Sequence, residues 1–550
     1  MKKMLLLFLV LVVASTAVFA GGKGEEPASP AAASAADSAP AMVEQKLTFA
    51  LQNEPDGLDP GITNNSFASP ILLNTFEGLV IYDANNSIVG GSAESWDISD
   101  DGLSYTFHLR KNLKWSDGTA LTARDFVYSY LRVLDPALGA QYTEMLTAYI
   151  AGAAEYYAGT ADADSVGIKA VDDNTLVITL LQPTAYYIGI LGMWVYSPVN
   201  EATVTANGDK WTRSADTFIS NGPFKMQKIA FGEGYELVKN PNYWNAANVK
   251  LEKLNFRFIP DPSTALVALD QGDIDGQWEV PSADLPSLKA NSDALQIIPS
   301  YGTTYYEVNC SKAPYDNPKV RLALAMALDR TAIIENVLQS TDSPAYSLIA
   351  PGYSVDGVAY DEGRSNFGLS ATADVEGARA MLADAGYPGG EGFPTLELSY
   401  YTNETVKNIV EAMQQMWQEN LGIKVNVSTE EWAVYYENIQ ALNYDVGAMG
   451  WGADYMHPMT FFPLRLSDGV MNNSGWGSAK YDELVKQAQS ETDPLKAMKL
   501  MRDAEDVLMA EMPLIPLYYR SSPKMMAPYV KGWYITPLNN MYLSGAYIEK

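Results

Sequence analysis

The segment GWGADYMHP, residues 450–458, holds the residue whose surroundings most clearly call for a binding partner. Its acidic residue, Asp454, stands among aromatic and apolar residues. A carboxylate with few polar neighbours costs free energy if it is buried without a partner. Two roles explain it: Asp454 binds a positive charge, or it caps a turn or a helix that begins near Pro458.

Residues that support most other chemistry are scarce. The chain has one cysteine, Cys310, and two histidines, His108 and His457. A Cys/His zinc site is therefore nearly excluded, and a nucleophile activated by histidine would need one of those two. His108 lies in the alternating run YTFHLR, which predicts the polar face of a strand, and His457 is predicted to lie in a loop. The 66 acidic residues provide many chance carboxylate pairs, but no motif singles out a hydrolytic pair. No catalytic residue, metal site or cofactor is predicted.

Length and charge narrow the class of protein. A chain of 550 residues exceeds one ordinary core, so two or more lobes are expected. Hydrophobic residues make up 47% and charged residues 19%, as in globular proteins. The formal net charge of −29 argues against nucleic acid and anionic membrane surfaces as partners, because both require a basic face.

The N-terminal segment is typical of an exported protein. Lys2 and Lys3 precede a short apolar run, and Val18 and Ala20 occupy the −3 and −1 positions of a cleavage site. Residues 1–20 are therefore predicted to be a signal peptide cleaved near Ala20. No cysteine follows the apolar run, so a lipid anchor is not expected. Residues 21–45, rich in Ala, Ser and Pro, are predicted to be a disordered tail, and the remainder a soluble periplasmic protein.

Hydrophobic periodicity predicts the elements that would position these residues. The first half is mixed: a strand at 46–51, hairpins at 95–111 and 166–180, and a helix that follows the capping box Thr122–Asp125 and ends before Pro136. After about residue 300 the pattern is α/β: a helix from near Pro318 to Leu338, strands at 395–402, 423–429 and 514–519, and helices at 404–422, 479–490 and 494–511. The strand–helix–strand unit at 395–429 favours a parallel pair.

Several motifs, in order along the chain, resemble the extracytoplasmic solute-binding proteins of family 5, the peptide- and nickel-binding group that serves ABC importers. The longest is LSYTFHLRKNLKWSDGTALTARDFVYSYLRVLDP at 103–136. Further matches bring the coverage to nearly all of residues 46–548: LDPGITN (58–64), FEGLVIYD (76–83), NGPFKM (221–226), LVKNPNYW (237–244), QGDIDG (271–276) and YYEVNCSKAPYDNPKVRLALAMALDR (305–330). Within the family, TTYYEVN, SPAYSLIAPGY and WGADYMHP are most similar to the oligopeptide-binding branch.

This resemblance implies a two-lobed α/β fold of the periplasmic-binding-protein type, with an extra subdomain and two hinge crossings. Lobe I would comprise residues 46–301 and 521–550, with the subdomain at 77–200, and lobe II residues 302–520. The implied function is capture of an oligopeptide between the lobes by a monomer, and its delivery to the membrane permease of an ABC importer, without catalysis. Broad specificity would come from main-chain hydrogen bonds, and hinge closure would bury the ligand.

The resemblance also implies the ligand-binding residues. Asp454 would meet the α-ammonium group of the peptide, which is charged below its pKa of about 8. The other implied contacts are Gly450 and Gly452, where backbones can approach closely, and Trp451, Trp432, Tyr142, Tyr305, Glu307, Asn64 and Ser66. Each of these others could equally be an ordinary core or hinge residue.

At the other end of the ligand the chain departs from the family pattern. Peptide binders carry basic side chains for the ligand carboxylate at places that are occupied here by Leu338, Val406 and Ala448. Arg465 or Lys407, which lie nearby in sequence, could substitute for them. The departure favours longer peptides whose C-terminus leaves the cleft, or a ligand without a carboxylate. Two other classes stay open: the same fold binding another solute such as an oligosaccharide, on which 11 Trp and 34 Tyr could stack, and a hydrolase.

Overall fold

The computed structural model describes residues 43–355, 357–469 and 471–550. The chain divides into a short unit, Met1–Val43, and one large compact unit, Glu44–Lys550. The predicted signal peptide, and all but the last three residues of the predicted tail at 21–45, lie outside the described residues.

A single sheet of 11 strands runs through this unit. Two long antiparallel strands, Leu295–Val308 and Leu514–Met526, lie in its middle. From one edge to the other the order is Val425–Glu430, Leu396–Tyr401, Val446–Gly452, Leu295–Val308, Leu514–Met526, Gly276–Gln277, Lys46–Leu51, Lys253–Phe258, Gly234–Lys239 and Phe224–Ala230, and Ser343–Pro344 also pairs with Leu514–Met526. Strands from the first half of the chain thus lie on one side of the central pair, and strands from the second half lie on the other.

The central pair connects these two halves. Residues 295–299 of one strand pair with 521–525 of the other, whereas residues 303–307 pair with 514–519, and the register shifts between Pro299 and Thr303. The shift locally interrupts the ladder. The predicted lobe boundaries, 301/302 and 520/521, both lie within this pair; these boundaries stay a prediction.

The second half contains the predicted strand–helix–strand unit. Leu396–Tyr401 and Val425–Glu430 pair in parallel, and Glu404–Leu421 connects them. The side chain of Asn403 accepts a hydrogen bond from the backbone N–H of Val406 at 3.0 Å, which begins the helix, and Gly422 ends it with φ +72°. These local signals explain why the boundaries agree with the sequence-based prediction.

A second sheet of four strands lies within the predicted subdomain at 77–200. Its order is Ala93–Ile98, Ser104–Leu109, Thr175–Thr179 and Ile168–Asp172, so both predicted hairpins are confirmed. The capping box of Thr122 and Asp125 begins the helix Ala123–Val133 as predicted. From this region Tyr186 stacks on Tyr455 and His457, with ring centroids 5.4 and 5.1 Å apart. The subdomain therefore contacts the segment that contains Asp454.

The helix predicted from Pro318 to Leu338 is instead interrupted. It ends at Met326, and a new turn, Arg330–Ala332, begins where Asp329 accepts a hydrogen bond from the N–H of Ala332 at 2.8 Å. The apolar periodicity continues across the break, but the aspartate offers the backbone a helix start. The segment Ile333–Leu338 continues as a π-helix.

The remaining elements complete the two halves. The other α-helices are Ser69–Thr75, Glu144–Thr147, Ala153–Tyr157, Tyr187–Ile190, Glu201–Asn207, Pro262–Asp270, Leu285–Asn291, Val375–Asp384, Trp432–Gln440, Ala479–Ser490 and Pro494–Glu511. Two-stranded pairs are formed by Val80–Tyr82 with Ile88–Gly90, Ser354–Val355 with Val358–Ala359, Val530–Lys531 with Tyr547–Ile548, and Tyr534–Ile535 with Met541–Tyr542.

Candidate ligand-binding site

Asp454 is partly buried and has no cationic partner within the described chain. Its carboxylate accepts a hydrogen bond from the hydroxyl group of Thr460 at 3.2 Å, and its backbone N–H donates to the same hydroxyl at 3.2 Å. The short 3₁₀ helix Pro458–Thr460 is capped by His457, whose ring accepts from the N–H of Met459. Asp454 therefore bonds to this turn without capping its first residue.

The Asp454 carboxylate is ionised at neutral pH and has no positively charged partner within the described chain. Burial raises its pKa to about 6, the Thr460 hydrogen bond opposes the rise, and the nearby charge of Glu144 adds to it. His457 does not supply the charge, because burial lowers its pKa to about 3 and the ring stays neutral at pH 7. At neutral pH most molecules thus hold an ionised, partly buried carboxylate without a counter-charge.

Tyr142 lies near this carboxylate, and Trp194 connects Tyr142 with the loop that contains Asn64 and Ser66. Burial raises the pKa of Tyr142 to about 12, with a further contribution from the charge of Asp454. The Tyr142 ring lies 6.0 Å from that of Trp194, whose indole N–H donates to the carbonyl of Thr63 at 2.9 Å. Asn64 and Ser66 are exposed in the same loop. Tyr142 and this loop are therefore brought together through Trp194, whereas a ligand contact for Asn64 and Ser66 stays a prediction.

A second feature is a cavity of about 390 Å³ on one face of the main sheet. Its walls are mostly aromatic or polar: Thr304, Tyr306, Tyr401, Asn403, Thr405, Val406, Ile409, Trp432, Ala448, Met449, Gly450, Tyr518 and Arg520. Trp432 is 47% exposed and stacks on Tyr436, with ring centroids 5.4 Å apart. An exposed indole beside a polar cavity is suited to contact a ligand.

The predicted contacts Tyr305 and Glu307 do not line this cavity. Successive side chains of a strand point to opposite faces, and Thr304 and Tyr306 are the residues of this strand that line the cavity. Glu307 is 1% exposed and forms an ion pair with Arg465, which is fully buried, at 2.8 Å. Tyr305 is 2% exposed and lies 5.1 Å below the same guanidinium. Their position disagrees with the prediction of ligand contact, because buried partners already occupy both side chains.

The strand Val446–Gly452 connects the cavity with Asp454. Gly450 lines the cavity, and a Cβ atom there would lie 2.1 Å from Nη2 of Arg520. At Gly452 a Cβ atom would have no neighbour within 4 Å. The indole N–H of Trp451 is buried without a hydrogen-bond partner in the described chain. A ligand contact for these three residues stays a prediction. The indole N–H of Trp451, unpaired within the described chain, and the open space at Gly452 are compatible with it.

Arg520 is the residue that the sequence reasoning missed. Val406 and Ala448, predicted to replace the carboxylate-binding cations of peptide binders, line a cavity that also holds this arginine. The two substitutes considered from the sequence lie elsewhere: Arg465 is fully buried with Glu307, and Lys407 pairs with Glu404 on the helix surface at 3.7 Å. The strand predicted to end at residue 519 continues through Arg520. Alternation along this longer strand places Arg520 on the same face as Tyr518, and that was the one signal in the sequence.

Neither a metal cluster nor a membrane-spanning helix is found over residues 43–355, 357–469 and 471–550. No three His, Cys, Asp or Glu side chains in these ranges are grouped to hold a metal ion. No helix in them combines the length and apolar character that a bilayer span requires.

Comparisons with known proteins agree with this architecture. Residues 87–473 match the model of the bacterial extracellular solute-binding proteins, family 5 Middle. The chain is 33% identical over 515 residues to the oligopeptide-binding protein OppA of Bacillus subtilis, with 92% of each chain covered. It is 34% identical over 529 residues to the periplasmic oligopeptide-binding protein OppA of Salmonella typhimurium, with 94% of this chain and 96% of the relative covered. The unliganded open form of MppA, a periplasmic murein tripeptide binding protein, matches with a TM-score of 0.81 at 32% identity, over 92% of this chain and 97% of that one.

The fold and its matches therefore define a two-lobed α/β solute-binding protein. The chain belongs to the bacterial extracellular solute-binding proteins of family 5. The hydrolase alternative is not favoured, because the matched relatives are named as binding proteins.

Proposed function

We propose that this protein captures oligopeptides in the cleft between its two halves and delivers them to the membrane permease of an ABC importer. The observation that carries the proposal is the ionised, partly buried carboxylate of Asp454, which has no cation within the described chain. A peptide supplies such a cation in its α-ammonium group, which is charged below a pKa of about 8. The names of the two OppA relatives support the same ligand class.

The proposed site combines Asp454 with the neighbouring groups described above. Asp454 binds the amino terminus, Trp451 and Tyr142 lie beside the first residues of the peptide, and Trp432 contacts residues further along. Gly450, Gly452 and the loop with Asn64 and Ser66 offer backbone atoms to the peptide backbone, so that affinity depends little on the peptide sequence.

The proposed mechanism is closure of lobe I (46–301 and 521–550) onto lobe II (302–520) about the two central strands. Similarity to an unliganded open form supports an open starting state. The mature protein would begin near Gly21 as a monomer in the periplasm, after removal of residues 1–20 and without a lipid anchor. Closure gives the permease a shape that differs from that of the empty protein.

Native mass spectrometry of the purified protein tests the ligand class directly, because a closed cleft retains its ligand. We expect added masses that fit peptides and that disappear after partial unfolding and refolding. Calorimetry with synthetic peptides then measures the affinity of the emptied protein.

An oligosaccharide is the second candidate, because the cavity has four aromatic walls, Tyr306, Tyr401, Trp432 and Tyr518. Added masses spaced by one hexose, together with no heat of binding for any peptide, would replace the peptide proposal with this one.

A further inference from the structure

We propose that Arg520 binds a carboxylate group of the peptide, and that it thereby determines which peptides the protein prefers. This inference rests on the proposed peptide-binding function and extends it to a part of the site distinct from Asp454. The carboxylate belongs either to the C-terminus of the peptide or to an acidic side chain; both present the same chemistry to a guanidinium group.

The backbone around Arg520 leaves room for its side chain to lie across two neighbouring strands. A Cβ atom on Gly302 would lie 3.0 Å from Cδ of Arg520, and one on Gly450 would lie 2.1 Å from Nη2. Neither glycine has a positive φ, so the backbone conformation does not require glycine at these positions. Their missing side chains instead provide the space that the arginine occupies.

The guanidinium group has unused hydrogen-bonding capacity. Its Nε donates to the hydroxyl group of Thr304 at 3.0 Å, and it forms no ion pair within the described residues. The carboxylate of Asp342 interacts with the charge of Arg520, but it already accepts hydrogen bonds from the N–H of Ser521 at 2.7 Å and the hydroxyl of Ser340 at 2.8 Å. The outer nitrogens of Arg520 therefore remain available, and such a fork matches the two oxygens of a carboxylate.

Arg520 gives the cavity a positive charge. Of the described residues that line it, Arg520 is the only charged one, although the whole chain has a formal net charge of −29. A cationic site bounded by aromatic walls, with no acidic side chain in its lining, favours an anionic ligand group over a neutral one.

The spacing along the strand suggests a peptide length if the C-terminus is the group bound. Gly450, against which the guanidinium lies, precedes Asp454 by four residues, which span at most about 14 Å. An extended peptide whose two charged ends lie within this limit has at most about five residues. The sequence-based expectation of longer peptides that leave the cleft would then be replaced by a preference for short ones.

Calorimetry at pH 7 tests the inference with alanine peptides of two to six residues, each as the free acid and as the C-terminal amide. A second set, amidated tetraalanine with Glu or Gln at each position, detects an acidic side chain. We expect the carboxylate member of one of these comparisons to bind about 10- to 100-fold more tightly, as for a hydrogen bond to a charged group. A free-acid preference identifies the C-terminus, and a Glu preference identifies a side chain.

The variant Arg520→Gln should remove this preference. Lys407→Gln, which removes the positive charge next in sequence to Val406 but outside the cavity lining, should keep it. Gly450→Ala provides an independent route: it retains the charge but must displace Nη2, so it should reduce the preference even if Arg520→Gln fails to fold. Thermal unfolding of each variant identifies those that fold.

Equal binding of both members in every comparison would overturn the inference while leaving peptide capture intact. A preference that persists in folded Arg520→Gln, or in Gly450→Ala if Arg520→Gln does not fold, would overturn it as well. If none of the peptides binds, the proposed function fails, and the assignment of Arg520 fails with it.

Discussion

Replacing Asp454 with asparagine should weaken the binding of peptides that have a free amino terminus and should also stabilise the unliganded protein. The first effect follows from the loss of one partner of a buried charge pair, which costs about 3–5 kcal/mol, or roughly 10²–10⁴ in affinity. Peptides with an acetylated amino terminus have no such charge, so their already weaker binding should change far less.

The effect on stability has the opposite sign. Burial raises the pKa of Asp454 from 3.8 to about 6. Because the folded-state pKa is the higher one, the folded protein holds the proton more tightly, and the ionised carboxylate opposes folding above pH 6. This opposition disappears as the pH falls below about 4. At 1.36 kcal/mol per pKa unit it amounts to at most about 3 kcal/mol at neutral pH. With an unfolding entropy of about 1 kcal/mol/K for a chain of this size, Tm should rise by up to about 3 °C.

Two measurements on one variant check this reasoning. Calorimetry compares a tetrapeptide with its acetylated form, and differential scanning calorimetry of the unliganded protein at pH 7 gives Tm. Glu144→Gln serves as the control, because it removes a neighbouring negative charge without touching the carboxylate. Equal losses for the two peptides together with a lower Tm would show that Asp454 acts only through its bond to Thr460.

The affinity for a free-amine peptide should fall about tenfold from pH 7 to pH 5, because Asp454, with its pKa of about 6, takes up a proton. It should also fall as the pH rises above 8, because the ligand amine then loses its proton. An affinity that does not change with pH would refute the pairing. Glu307→Ala should destabilise the protein by about 3–5 kcal/mol, because it leaves the buried charge of Arg465 unpaired, with unchanged peptide affinity in the folded fraction; lost binding with an unchanged Tm would restore the ligand role of Glu307. The exported chain should begin at or near Gly21, as measured by intact-mass spectrometry, and a lipid-modified form would contradict the predicted processing.

Local signals explain the parts of the fold that were predictable from the sequence. The helix Ala123–Val133 begins at a capping box, and Glu404–Leu421 ends at a glycine in the left-handed conformation; both signals act over a few residues. The helix from Pro318 was predicted too long, because Asp329 begins a new turn against an unbroken apolar pattern. The strand predicted at 514–519 continues to Met526, because pairing with Leu295–Val308 extends it.

For the site, the amino-acid sequence alone identifies Asp454 as an aspartate among aromatic residues and shows that few other groups could carry chemistry. Which neighbours share the site depends on the tertiary structure. A strand presents alternate residues to each face, and the pairing of Thr304 with Gly450 and Tyr518 directs Thr304 and Tyr306 to the cavity and Glu307 to the core. Arg520 enters the same cavity from a strand 216 residues beyond Thr304. Its contact depends on which strands pair and in which register, and a pattern along one segment contains no information about either.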